Sequence, residues 1–256
     1  MNRVISVLKT SALISSLAAG GHAVHYFSEQ AKGKNDHPKV EIAPVEHPQE
    51  GLQRLLAGNE RFVQGMSVHP DQTFARIKAT ENGQKPYAVV VTCSDSRVSP
   101  EILFDEGIGD LFVIRTAGNL MDDLELGSVE YAVEHLDASL VIILGHTECG
   151  AIKAFLSEEG NPPGHIRQVV ETIAREKEEQ QILNFEGKDL NACIEGNVLH
   201  GVRQIKNDEP VLSEKINAHE VLVVPMVYDV HSGRVQVLQE NDLSRKHHCD
   251  ITTHPL

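Results

Sequence analysis

Two short stretches of the chain concentrate its reactive side chains: Cys93-Ser94-Asp95-Ser96-Arg97 and Gly145-His146-Thr147-Glu148-Cys149-Gly150. Cys93 and Asp95 are two residues apart, which in an extended segment puts both side chains on one side. His146 and Cys149 are three apart, a spacing that suits the first turn of a helix and lets both aim at one atom. Two thiolates, an imidazole and a carboxylate are donors that a borderline-soft tetrahedral cation such as Zn2+ accepts. At a helix N-terminus the dipole would favour the Cys149 thiolate that a metal requires.

Asp95 decides what kind of metal site this is. As a permanent fourth ligand it closes the site, and the metal is structural. Arg97, two residues on, can instead grip the same carboxylate in a bidentate pair. That leaves three protein ligands and an open position for water, whose pKa zinc lowers far enough to give hydroxide near neutral pH. Asp95 then accepts the hydrogen bond of that hydroxide. Three other readings stay open. A Cys93–Cys149 disulfide leaves Asp95, Arg97 and His146 unexplained. A non-catalytic zinc protein needs neither Asp95 nor Arg97. A thiol redox protein is disfavoured by the lack of a Cys-x-x-Cys motif.

Both clusters must be positioned by buried strands. Tyr87-Ala88-Val89-Val90-Val91 runs straight into the first, and Leu140-Val141-Ile142-Ile143-Leu144 into the second. Leu111-Phe112-Val113-Ile114 and Val221-Leu222-Val223-Val224 are further continuous apolar runs, the pattern of strands buried on both faces. Leu126, Val129, Val133 and Leu136 keep helical spacing between the second and third strands. Pro48 opens a helix with Leu52, Leu55, Leu56, Phe62 and Val63 on one face, a second helix is expected over about 71–82, and a third over about 190–206. The turn His231-Ser232-Gly233 leads into Val235-Gln236-Val237-Leu238, a hairpin adding an antiparallel edge. The expected fold is α/β: a mostly parallel central sheet with an antiparallel edge strand, flanked by helices. In such sheets functional groups collect at the carboxyl ends of the strands, so both clusters face one crevice.

The 256 residues are 41% hydrophobic and 23% charged, a globular composition. Lys and Arg number 23 against 37 Asp and Glu, a net charge of -14 that argues against nucleic acid as partner. Aromatic residues are 4% with no Trp, which leaves little for a sugar or base stacking platform, and 4 Cys make no disulfide scaffold. Residues 1–23 read as a signal peptide: Arg3, an apolar run from Val4 to Ala19, then Gly21-His22-Ala23. The run is too short and interrupted for a stable membrane span. A periplasmic or secreted protein is therefore expected, with a cytoplasmic one as the alternative. Residues 24–45 are a polar linker, 46–240 the catalytic domain, and 241–256 a polar tail whose His247, His248, Cys249, Asp250 and His254 lack a scaffold to fix ligand geometry. Cys193 reads as a small buried apolar residue.

At the two clusters the chain resembles the β-class carbonic anhydrases, and the likeness extends from about His47 to Leu238. Gly58-Asn59-Glu60-Arg61-Phe62, Arg115-Thr116-Ala117-Gly118-Asn119 and Glu130-Tyr131-Ala132-Val133 add to it. The resemblance implies zinc held by Cys93, His146 and Cys149, an Asp95–Arg97 dyad, and reversible hydration of carbon dioxide to bicarbonate and a proton. It further implies that Gln84 hydrogen-bonds the substrate oxygen and that the Gly150 N–H faces the substrate. Phe112, Ala117 and Tyr131 would wall the pocket, with Phe112 and Tyr131 coming from a neighbouring subunit in a homodimer or tetramer, on whose partner an extended N-terminal helix packs. Ala117 is smaller than the valine common in the family. Some members have a closed state in which the aspartate moves onto zinc, as Asp95 would here. That group uses a tryptophan to bind inhibitory bicarbonate, and this chain has none, so an open site is expected near pH 8. A sibling enzyme hydrolysing carbonyl sulfide or carbon disulfide could share the same metal site.

Overall fold

In a computed structural model of the chain, the described residues are 45–157, 162–185, 188–208 and 210–239. The expected signal peptide, nearly all of the linker, and the tail with Cys249 lie outside them, as does any helix that would precede residue 45. Among the described residues no helix is long and apolar enough to cross a membrane.

The strands are β1 (Ala88–Cys93), β2 (Leu111–Thr116), β3 (Leu140–His146), β4 (Leu222–Tyr228) and β5 (Val235–Val237). They form one sheet in the order β2-β1-β3-β4-β5, parallel except for β5. The helices are α1 (Pro48–Val63), α2 (Phe74–Thr80), α3 (Pro100–Leu103), α4 (Asp123–His135), α5 (Gly150–Leu156), α6 (Ile166–Arg175), α7 (Lys177–Phe185), α8 (Leu190–Lys206) and α9 (Val211–Asn217). The α/β architecture expected from the alternating strands and helices is the one found.

Every residue of β1 and β3 is buried, as their unbroken apolar runs require. Their side chains divide by alternation into two cores. Val89, Val91, Val141 and Ile143 join α4, α8 and α9 on one face. Ala88, Val90, Leu140, Ile142 and Leu144 meet Leu55 of α1 with Leu103 and Phe104 on the other. Each fully buried Val, Leu or Ile contributes roughly 1.5–3 kcal/mol, and a one-residue slip of β1 would turn Cys93 to the opposite face. The observed register sets Thr92 against Leu144 and Cys93 against Thr116. The ends of β1, β2 and β3 therefore lie side by side.

Polar ties hold α1 on this frame. Arg54 Nε donates to Glu106 Oε1 at 2.9 Å, and Arg61 Nε to Asp105 Oδ2 at 2.6 Å. Asn59 Nδ2 donates to the carbonyls of Leu103 (3.1 Å) and Gly233 (2.9 Å), and its Oδ1 accepts from Val235 N. α1 and the hairpin strand β5 are thus fastened to each other.

Helix α2 is shorter than expected. Asp71 has φ 51°, in the left-handed region, and Thr73 caps the helix by accepting from Arg76 N, so the helix starts at Phe74. Helices α3, α6, α7 and α9 were not expected from the sequence.

Candidate metal centre

Cys93 ends β1, His146 ends the adjacent β3, and Cys149 is the N-cap residue of α5. The route from His146 to Cys149 is not the helical turn that their spacing suggested. Glu148 adopts φ 61°, and this left-handed residue makes a tight bend that swings Cys149 back towards the strand end. The same convergence results from a strand, a bend and an N-cap. Sγ of Cys93, Sγ of Cys149 and a ring nitrogen of His146 lie within 4.8 Å of one another, all three residues buried. Cys93 and Cys149 are free thiols, which removes the disulfide reading.

His146 is fully buried, and its two nitrogens have different fates. Nδ1 lies 2.9 Å from the Thr147 carbonyl, which can only accept, so Nδ1 carries the proton. Nε2 is left with its lone pair and no hydrogen-bond partner. A buried polar atom in that condition is costly unless something binds it. The thiols point the same way. The hydrogen bond between the two sulfurs, together with that from the Gly118 N–H, pulls Cys93 below its ordinary pKa. The same bond and burial push Cys149 up. The two sulfurs therefore share a proton that a bound cation would displace. Two sulfurs and one unpartnered imidazole nitrogen at this spacing fit a tetrahedral ion with Zn–S of about 2.3 Å.

Asp95 stands beside this group without joining it. Its Oδ1 accepts from Arg97 Nε at 2.9 Å and from Arg97 N at 2.9 Å, and its Oδ2 accepts from Arg97 Nη2 at 2.8 Å. Oδ2 lies 4.0 Å from His146 Nε2. The Arg97 guanidinium holds the carboxyl well below the usual carboxylate range. Arg97 Nη2 also donates to the Glu148 carbonyl at 3.2 Å, so one guanidinium links the loops after β1 and β3.

Further residues support the site that sequence reasoning did not assign. Arg115 donates to the Cys93 carbonyl (3.2 Å) and the Asp95 carbonyl (2.8 Å), fixing the backbone between them. Gly118 N donates to Cys93 Sγ at 3.3 Å, and the Gly118 carbonyl accepts from Asn197 Nδ2 at 2.8 Å. Gly118 has φ 73°, and a Cβ there would lie 2.9 Å from the Ala151 Cβ, so glycine alone suits both backbone and space. The signals were an Arg directly after the apolar run Leu111–Ile114 and an Asn among the buried residues of α8. Thr147 anchors the second loop: its N donates to the Tyr228 carbonyl and its Oγ1 to Asp229 Oδ1.

The expected pocket residues divide into two groups. Ala117 and Gly150 are exposed at the rim of this centre, Ala117 next to Gly118 and Gly150 next to Cys149 with open space where a Cβ would be. Gln84, Phe112 and Tyr131 are not at this chain's own centre. Gln84 is exposed in the loop before β1, a six-residue strand or ~20 Å from Cys93. Phe112 lies opposite Val89, near the amino end of β2, and its ring is 6.3 Å from that of Tyr131 on α4. Cys193 is fully buried on α8, as expected for a small apolar residue.

Residues 88–235 match the family model described as carbonic anhydrase. A carbonic anhydrase of Mycolicibacterium smegmatis is 37% identical over 203 residues, covering 76% of this chain and 95% of that protein. Carbonic anhydrase 2 of Mycobacterium tuberculosis is 38% identical over 200 residues, covering 75% and 93%. Among solved structures, a β-carbonic anhydrase of Aspergillus fumigatus superposes with a TM-score of 0.59 at 27% identity, covering 74% of this chain and 91% of that one. The Coccomyxa β-carbonic anhydrase in complex with acetazolamide gives 0.56 at 28% identity, covering 73% and 86%. The chain belongs to the carbonic anhydrase family, in its β class.

Proposed function

We propose that this chain catalyses the reversible hydration of carbon dioxide to bicarbonate and a proton at the Cys93–His146–Cys149 centre. The observation that carries this is the buried His146 Nε2, unpartnered and grouped with two sulfurs, beside a carboxylate that Arg97 keeps away from them. Zn2+ fits the three donors, and as a Lewis acid it supplies a water-derived nucleophile near neutral pH.

The chain's own groups then divide the remaining work. Asp95 keeps its negative charge because Arg97 engages both its oxygens. It therefore accepts a hydrogen bond from the attacking water and orients it, and does not store the proton. Arg97 and Arg115 hold Asp95 from two sides, so the acceptor costs no reorganisation during reaction. Gly150, exposed next to Cys149, would donate its N–H to the oxygen that gains charge as bicarbonate forms.

A second copy of the chain completes the pocket in this reading. Three features support it. No residue of α2 is buried, and its Phe74 is 72% exposed. β2 is an edge strand of the sheet. The half-buried Phe112 and the exposed Tyr131 form an aromatic pair remote from their own metal centre. A partner's Gln84, Phe112 and Tyr131 would then wall the site that one chain leaves open. Export, resting on Arg3 and the apolar run to Ala19, adds that the working enzyme begins near residue 24; the N-terminal mass of protein from the native host tests this.

The reaction is tested by giving zinc-loaded protein carbon dioxide and carbonyl sulfide in parallel. Hydration of carbon dioxide is expected to dominate and to vanish after chelation. Hydrolysis of carbonyl sulfide without hydration of carbon dioxide would overturn the assignment.

A further inference from the structure

His146 offers Nε2 to a metal only while Nδ1 keeps its proton, and the acceptor that enforces this is the Thr147 carbonyl at 2.9 Å. The direction of that carbonyl depends on what fixes Thr147. Its N–H continues the β3–β4 ladder by donating to the Tyr228 carbonyl at 2.9 Å. Its Oγ1 donates to Asp229 Oδ1 at 3.2 Å and accepts from Val230 N at 3.0 Å. A carboxylate only accepts, so the single hydroxyl proton goes to Asp229 and a lone pair takes the Val230 N–H. Backbone and side chain of Thr147 are therefore both tied to the end of β4 and the turn after it.

Asp229 is itself held. Its Oδ1 also accepts from His231 N at 3.0 Å, and its Oδ2 accepts from Ser232 Oγ at 2.5 Å. The Ser232 hydroxyl and the His231 N–H keep this carboxyl below the usual carboxylate range. Asp229 N donates to the Arg234 carbonyl at 2.8 Å, and the Asp229 carbonyl accepts from Gly233 N at 2.9 Å, which closes the turn. Asn59 of α1 fastens that turn through Gly233 and Val235. Beyond Thr147, the Glu148 carbonyl accepts from Arg97 Nη2 at 3.2 Å. The left-handed bend that returns Cys149 to the strand end thus runs between two fixed points.

We propose that Asp229 is a positioning residue of the metal centre: through the Thr147 hydroxyl it fixes the carbonyl that keeps His146 protonated on Nδ1 and bare on Nε2. Without this tie the peptide after Thr147 is free to turn, and Nδ1–H loses its acceptor. The ring then gains access to the tautomer protonated on Nε2, which has no lone pair there for a metal. The role rests on Zn2+ binding at Cys93, His146 and Cys149 and is indifferent to the reaction that follows.

Zinc affinity is measured by chelator competition on the wild-type chain, Thr147→Val, Thr147→Ser, Asp229→Ala, Asp229→Asn and the double variant Thr147→Val/Asp229→Ala. Valine matches threonine in shape and lacks only the hydroxyl, and asparagine keeps an acceptor oxygen for Thr147. Thr147→Val and Asp229→Ala are each expected to lose about tenfold or more in affinity, the scale of outer partners of a metal-bound histidine. Thr147→Ser and Asp229→Asn are expected to retain it. The double variant should fall no further than the weaker single, because both changes break one bond. Unchanged affinity in Thr147→Val and Asp229→Ala would overturn the proposal. So would additive losses in the double variant, or equal losses in the two conservative variants, which mark a general structural role. A wild-type chain that binds no zinc would overturn the metal centre itself, a result distinct from wild-type binding that the variants leave untouched.

Discussion

Raising the pH is expected to strain the fold at Glu176 and Glu179, on the α6–α7 corner beside α8. Glu176 is 2% exposed with neither carboxyl oxygen hydrogen-bonded, and Glu179 is fully buried. The neighbouring Glu178 takes the available cation, accepting from Arg203 Nε at 2.6 Å and from Arg203 Nη2 at 2.9 Å. Burial pushes Glu176 up to about 9 and Glu179 up to about 7, from an ordinary value of 4.5. Both are raised, so the folded chain keeps protons that the unfolded chain releases. The stability this confers is complete below about pH 4.5, and it is lost as pH rises towards about 7 for Glu179 and about 9 for Glu176. Each pH unit corresponds to about 1.4 kcal/mol, which sets a limit of about 6 kcal/mol at Glu176 for a site that admits no water. Glu176→Gln keeps the shape and cannot ionise. Urea unfolding at fixed chain concentration is expected to give the variant and the wild type similar stability at pH 5. At pH 9.5 the variant is expected to be more stable by roughly 2–6 kcal/mol. Parallel pH profiles for the two proteins would refute the reasoning.

Gly58→Ala places a Cβ 1.7 Å from the Phe104 carbonyl oxygen, a backbone atom, so α1 must lift from α3; a loss of about 3 kcal/mol or more in urea unfolding is expected. Asn197→Ala removes the buried hydrogen bond to the Gly118 carbonyl and loosens the clamp on Cys93; zinc affinity measured by chelator competition is expected to fall about tenfold. Tyr131→Ala is expected to lower kcat/KM in the assembled protein while zinc per chain stays constant, and an unchanged kcat/KM would leave Tyr131 outside the pocket.

The sheet was legible because its strands are continuous apolar runs. Val89-Val90-Val91 and Ile142-Ile143-Leu144 have no polar interruption, and both faces are indeed buried. The Cys93–His146–Cys149 group was legible because it sits where those runs stop. Helix α6 was missed although Ile166, Val169, Val170 and Ile173 keep helical spacing, and Val170 and Ile173 are buried in it. α7 carried no comparable signal: Lys177-Glu178-Glu179-Gln180 has the composition of a solvated surface, and only packing against Cys193 and Gly196 of α8 buries Glu179. Long-range contacts also decide the bend at Glu148 and the Asn197–Gly118–Cys93 linkage, which spacing along the chain cannot reveal. Gln84, Phe112 and Tyr131 lie away from their own chain's centre, a separation that spacing along the chain does not reveal.

Stopped-flow hydration of carbon dioxide near pH 8.5, on protein assayed for zinc and run beside Asp95→Asn and Cys149→Ser, tests the proposed chemistry most directly. Rapid hydration with one zinc per chain is expected. Cys149→Ser should lose it along with the metal, and Asp95→Asn should lose it by about a hundredfold with the metal retained. Zinc-replete wild-type protein that fails to hydrate carbon dioxide anywhere between about pH 7 and 9 would contradict it.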